Sequence, residues 1–286
     1  MKEFPIPVIG FGPGSQPDAE EANFLPMPSA METFAMPIIH LEANPEVLAA
    51  VCGILERLRN AMQASPVNGP GRPHIELGGE SADVLNLLNQ SLGHGEVSIM
   101  VSEPAVCRIQ ETVFAGIWRV QELSAQGFLM HDVLVAGAIP YVAQQSADLA
   151  AAASVKTPPM RDGMMNAPAV LNELLDRSRS YRNGQPAHVV NLSLLPMSPE
   201  DLEYLNDALG IGPVAILSRG YGNCRITSTR LAHVWWVQYF NSMDQIILNT
   251  LEVVDVPEVA QAAAEDYADS IERLGEWLEA MREDVV

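Results

Sequence analysis

The chain has 286 residues, with 16 Lys+Arg against 36 Asp+Glu, a formal net charge of −20 and 48% hydrophobic residues. That length holds one large domain or two ordinary ones, and the composition is globular rather than disordered. The excess of acid leaves nothing basic to displace counterions from a phosphate backbone, so nucleic acid is excluded as a partner while a basic protein segment is permitted.

Three cysteines, Cys52, Cys107 and Cys224, with no C-x-x-C pair, make neither a disulfide framework nor a zinc ribbon. No apolar stretch of signal-peptide length precedes the first prolines. The longest apolar runs, such as Val133 to Ala143, fall short of the roughly 18–20 residues that span a bilayer. The expectation is a cytoplasmic protein with no membrane insertion.

The strongest internal signal is self-similarity. Ser81–Gln121 aligns without a gap to Ser198–Gln238, and 17 of the 41 positions are identical. The expected fold is therefore α+β, as two tandem copies of an α-β-α-β-β-β-β-α unit with antiparallel or mixed sheets. The first copy spans residues 38–153 and the second 167–286.

In chain order, residues 1–37 carry seven prolines and read as an extended, flexible arm. Within it, Gly10–Gly14 only superficially resembles a phosphate loop, because it contains Pro13 and lacks a lysine. A helix follows, with Val47, Leu48, Val51, Ile54, Leu55 and Leu58 on its apolar stripe. A short strand is expected at 74–77. The next helix starts at Ser81 and buries Leu85, Leu88 and Leu92 ahead of Gly93.

Residues 154–166, with Thr157-Pro-Pro-Met160, read as a linker. In the second copy a helix carries Val170, Leu171, Leu174 and Leu175, and a strand is expected over His188–Leu195. Ser198, Pro199 and Asp201 then mark a helix start, with Leu202, Leu205 and Leu209 as its stripe and Gly210 as its stop. Strands are expected at 214–217, 224–229, 232–240 and 245–254, and a closing amphipathic helix from Pro257 to about Glu283, dense in acid on one face.

Arg219, Gly220, Tyr221, Gly222 and Asn223 form an expected hairpin loop, whose glycines permit positive φ. Trp118 and Trp235 match and read as core. Trp236 replaces an arginine of the first copy and reads either as a residue covered by a helix or as an outward-facing anchor for a partner. Cys107 and Cys224 are matched in Cys-Arg-Ile, either as small buried residues or as a possible thiol pair meeting across a pseudo-twofold axis. The matched Arg108 and Arg225 are expected to pair with carboxylates. The six histidines show no ligand spacing, and neither a nucleophile elbow nor any other catalytic motif is present.

Four segments in order carry a resemblance. They are His188-Val-Val-Asn-Leu-Ser-Leu-Leu-Pro196, Gly212-Pro-Val-Ala-Ile-Leu-Ser-Arg-Gly-Tyr-Gly-Asn-Cys-Arg-Ile226, Val234-Trp-Trp-Val-Gln-Tyr-Phe-Asn241 and Leu251-Glu-Val-Val-Asp-Val-Pro-Glu-Val259. Together they resemble the hydrogenase expression/formation family called HupH, HyaF or HoxQ.

The resemblance implies an accessory protein, not an enzyme. It would hold the iron–sulfur small subunit of a membrane-bound nickel–iron uptake hydrogenase in the cytoplasm before export, beside a thioredoxin-like accessory protein. It implies no catalytic residue, metal ligand or cofactor. The loop 219–223, Trp236 and the strand through Asp255 are the expected contacts for the small-subunit precursor. The alternative is an iron or iron–sulfur cluster handler using Cys107 and Cys224.

Overall fold

In a computed structural model of the chain, residues 44–69, 72–151, 155–220 and 222–283 are described. The expected N-terminal arm, 1–37, lies outside them. The first half runs α1 (Pro45–Gln63), β1 (His74–Glu76), α2 (Ala82–Leu92), β2 (Val97–Val101), β3 (Val106–Glu111), β4 (Ile117–Leu123), β5 (Leu129–Ala136) and α3 (Tyr141–Ala150). The second runs α4 (Ala167–Ser180), β6 (His188–Asn191), α5 (Pro199–Leu209), β7 (Ile211–Ser218), β8 (Asn223–Thr229), β9 (Val234–Phe240), β10 (Ile246–Val253) and α6 (Ala264–Glu283).

Local chemistry sets the helix ends. The Asn44 side chain accepts the Glu46 N–H at the start of α1, and Ser81 Oγ accepts that of Val84 at the start of α2. On α5, Ser198 and Asp201 exchange bonds as a capping box, with Pro199 in the first turn. Gly93 (φ +56°) and Gly210 (φ +61°) end α2 and α5 in conformations that a side chain would strain.

All ten strands form one antiparallel sheet, in the order β1-β5-β4-β3-β2-β7-β8-β9-β10-β6. The order counted outward is the same on both sides of the central β2–β7 pair. Ile99 faces Ile216 at its middle, Val101 faces Val214 and Val97 faces Ser218.

One face carries two helical cores. Val51, Ile54, Leu55 and Leu58 of α1 and Leu88 of α2 pack on Ile117 and Leu134. Leu171 and Leu174 of α4 and Leu205 and Leu209 of α5 pack on Val190, Trp236 and Leu251. The other face buries Ile99, Ile109, Trp118, Ile216, Ile226 and Trp235 together with Ala143 of α3 and Ala260.

The halves exchange segments. From α6, Tyr267, Leu274, Leu278 and Met281 fill the core of α1 and α2. Reciprocally, Val155 and Met164 pack on the core of α4 and α5. Asp201 Oδ1 accepts the N–H groups of Met165 (2.9 Å), Asn166 (3.1 Å) and Ala167 (2.9 Å), and Arg161 pairs with Glu203 and Asp207. Residues 155–166, expected as a linker, are thus docked on α5.

Beyond shifts of one to three residues at strand ends, two elements differ from expectation. The strand opening at His188 stops at Asn191, whose side chain accepts the Ser193 N–H and starts a single 3₁₀ turn over Leu192–Leu194. The closing helix does not start at Pro257. A 3₁₀ turn over Glu258–Ala260 precedes extended Gln261, and Ala262 N–H bonds the Ala138 carbonyl (2.9 Å), so α6 begins only at Ala264. A hydrogen bond between the halves wins there over local helix propensity.

Candidate functional site

The loop after β7 sits at the seam of the two halves. Arg219 N–H donates to the Glu96 carbonyl (3.1 Å), and at the far end of the same strand pair Ser102 N–H donates to the Pro213 carbonyl (2.9 Å). A Cβ on Gly220 would lie 2.2 Å from Glu96 Oε2, the movable end of an exposed side chain, whereas Gly222 has φ +100°, a conformation that favours glycine. Asn223 opens β8, whereas Tyr221 lies outside the described residues.

Asp255 lies at the other end of the second half. Its Oδ2 accepts the Gly184 N–H (2.7 Å), its own N–H donates to Tyr181 Oη (3.0 Å), and its carbonyl accepts Trp235 Nε1–H (3.1 Å). Along β9, Trp235 and Phe240 mark these two ends, so the loop and Asp255 stand about 17 Å apart along the strand. They do not form one compact patch.

Trp236 is not an outward anchor. It is 2% exposed, packs in the core of α4 and α5, and donates its indole N–H to Asn249 Oδ1 (2.6 Å). Both faces of β9 are covered, so alternation along the strand cannot give it an exposed face. The Arg119 that it replaces is itself largely buried, pairing through two nitrogens with Asp132 (Nε–Oδ1 2.9 Å) and bonding Asn89.

Cys107 and Cys224 are buried on the same sheet face but do not meet. Cys107 pairs with Val101, which pairs with Val214, whereas Cys224 pairs with Ser218. Three strand spacings and four residues separate them, about 14 Å across and about 13 Å along the sheet. Burial pushes the Cys107 thiol up to about 11, with Glu122 adding to it. Burial also pushes Cys224 up to about 12, against a hydrogen bond with Tyr239. Neither is a thiolate near neutral pH, and the two cannot ligate one ion. Among the described residues no group of three or more His, Cys, Asp or Glu is placed to hold a metal. No helix there is long and apolar enough to cross a membrane.

Sequence reasoning missed two features. One is the Arg119–Asp132 pair, which the repeat alignment marks by setting these charges opposite Trp236 and Asn249. The other is a cavity of about 850 Å³ lined by residues of both halves. Val120, Val133 and Val135 form part of its wall with Tyr141, while Tyr181 and Gln185 come from the second half. No local motif marks it, because its walls are about 190 residues apart in sequence.

A single antiparallel sheet clad by helices defines an α+β protein. The comparisons with known proteins place it further. The model of the HupH hydrogenase expression protein, C-terminal conserved region, matches residues 48–157 and again 164–281. The hydrogenase expression/formation protein HoxQ of Cupriavidus necator is 43% identical over 97% of this chain and 98% of its own length. HupH of Rhodobacter capsulatus is 40% identical over 99% and 100%, and the hydrogenase-1 operon protein HyaF of Escherichia coli 33% over 93% and 95%. A solved structure of the hydrogenase expression protein HupH from Thiobacillus denitrificans, 29% identical, covers 41% of this chain and 96% of that one with a TM-score of 0.37. The chain belongs to the HupH family of hydrogenase expression/formation proteins.

Proposed function

We propose that this protein works in the cytoplasm as a holding protein for the iron–sulfur small subunit of a membrane-bound nickel–iron hydrogenase before export, alongside a thioredoxin-like accessory protein. The observation that carries the reading is the nearly end-to-end similarity to hydrogenase expression/formation proteins from several bacteria. A holding role requires apolar surface offered reversibly to an unassembled chain. Phe128 (72% exposed) and Met130 (59%) at the β4–β5 turn, and Met243 (72%) and Ile247 (63%) at the β9–β10 turn, supply it. The acidic exterior keeps such a protein apart from its own copies.

In this reading the scaffold is two tandem copies of one unit, residues 38–153 and 167–286, joined edge to edge. The mirrored strand order and the double match of one family model support it. The loop 219–223 and the region of Asp255 remain the contacts proposed for the partner, as two separate places. The separation and high pKa of the two thiols favour polypeptide holding over metal handling.

The test is in vitro. Purified small-subunit precursor, diluted from denaturant, stays soluble in the presence of a stoichiometric amount of this protein. Aggregation at the same rate with and without it overturns the proposal.

A further inference from the structure

The cavity lined by both halves carries arginine and apolar side chains together. Its walls are apolar where the strands form them, through Val120, Val133 and Val135. At one side the Arg72 guanidinium lies 3.6 Å from the centroid of the Tyr141 ring, and the Arg72 carbonyl is bonded by His74 Nδ1 (3.2 Å). Arg119, Arg161, Arg230, Arg273 and Arg282 each meet a carboxylate. Arg72, in a chain with 36 acids, meets none among the described residues.

An arginine whose guanidinium lies over an aromatic ring can turn its planar N–H fork to a carboxylate, and an adjoining apolar wall selects an acid with an aliphatic body. Asp255 is the one acid among the described wall residues; its Oδ2 accepts the Gly184 N–H, and its Oδ1 lies 4.0 Å from His233 Nδ1. Gln144 and Gln185 also line the cavity. Each carries an amide that matches the donors and acceptors of a peptide group. A volume of about 850 Å³ exceeds what one small aliphatic acid fills and lies within the range of ligand pockets.

We propose that this cavity binds the carboxyl end of a polypeptide whose last residue is aliphatic, with Arg72 on the terminal carboxylate and Val120, Val133 and Val135 around the last side chain. The site needs both halves of the chain, since Arg72 and Tyr141 come from the first and Gln185 and Asp255 from the second. The inference rests on the reading that the protein holds a polypeptide, and it names one end of that polypeptide as the part gripped.

The test uses the full-length protein and a fluorescein-labelled tetrapeptide ending in valine, read by fluorescence anisotropy. The free acid binds at least tenfold more tightly than its C-terminal amide, and added salt weakens it. Arg72→Gln removes that preference and Arg72→Lys restores part of it. The thermal midpoints of both variants stay at the wild-type value, because Arg72 is exposed. Equal affinity for acid and amide, or wild-type binding by Arg72→Gln, overturns the inference. So does competition by N-acetylvaline at the same concentration as the peptide, which would make the ligand a free acid. Small-subunit holding is measured separately on the same samples, so failure of the peptide site alone leaves the holding reading standing.

Discussion

Arg119 and Trp236 occupy matched places in the two halves, and each is tied by its polar end to the neighbouring strand, Arg119 to Asp132 and Trp236 to Asn249. Both solutions satisfy a buried polar group, one by charge and one by a neutral hydrogen bond. Trp236→Ala leaves a cavity among Leu205, Leu251 and their neighbours, and is expected to lower stability by about 3–5 kcal/mol in urea unfolding. An unchanged urea midpoint would contradict its core placement. Glu111 gives a pH signature. Burial pushes its carboxyl from 4.5 up to about 7, with the Gly116 N–H opposing and Glu96 adding to the rise. Between those values the folded chain holds a proton that the unfolded chain has released, so stability falls as pH rises through about 4.5 to 7 and stays lowered above. Glu111→Gln keeps an acceptor for the Gly116 N–H, 3.2 Å away, and removes the charge. It is expected to gain at most about 3 kcal/mol at pH 8 and nothing at pH 4.5. Parallel stability–pH curves for the two proteins would refute this.

Helices and strands were legible wherever local signals agreed. The Ser198–Asp201 box, Gly93 and Gly210 each fixed an end that the structure keeps. The signals failed where a distant partner decides. Gln261 is extended because Ala262 bonds the other half, and residues 155–166 are docked because Asp201 gathers three N–H groups from them. Burial alone would raise the Asp201 pKa, yet four backbone bonds, from Ser198, Ala167, Met165 and Asn166, hold it below the usual value. Asp201→Ala strands all four donors, whereas Ser198→Ala removes one cap acceptor. The first is expected to destabilise by at least about 3 kcal/mol and the second by about 1, in denaturant titrations. Similar losses from the two would show that 155–166 is held by something other than Asp201.

At the scale of the molecule, the repeat pointed to α+β structure in each half, but not to one sheet shared by both. Nothing in the apolar alternation of β2 and β7 distinguishes a strand paired on one side from one paired on both, because edge pairing is made by backbone groups. The candidate contacts suffered for the same reason. The anchor reading of Trp236 needed an open sheet face, and the thiol-pair reading of Cys107 and Cys224 needed an axis that brings them together, while the buried readings of all three needed neither. The continuous sheet covers the first and separates the other two. What remains is a sheet ten strands wide among the described residues, with exposed apolar side chains near two of its hairpin turns and a strongly acidic chain, which fits the proposed role of holding another polypeptide.

Native mass spectrometry of this protein, affinity-purified without oxygen from cells producing the hydrogenase, examines that claim most directly. The account predicts a one-to-one complex with the small-subunit precursor, and an unbound fraction at the apoprotein mass. A chain recovered free of any hydrogenase polypeptide, or an unbound fraction heavier by iron, would contradict it.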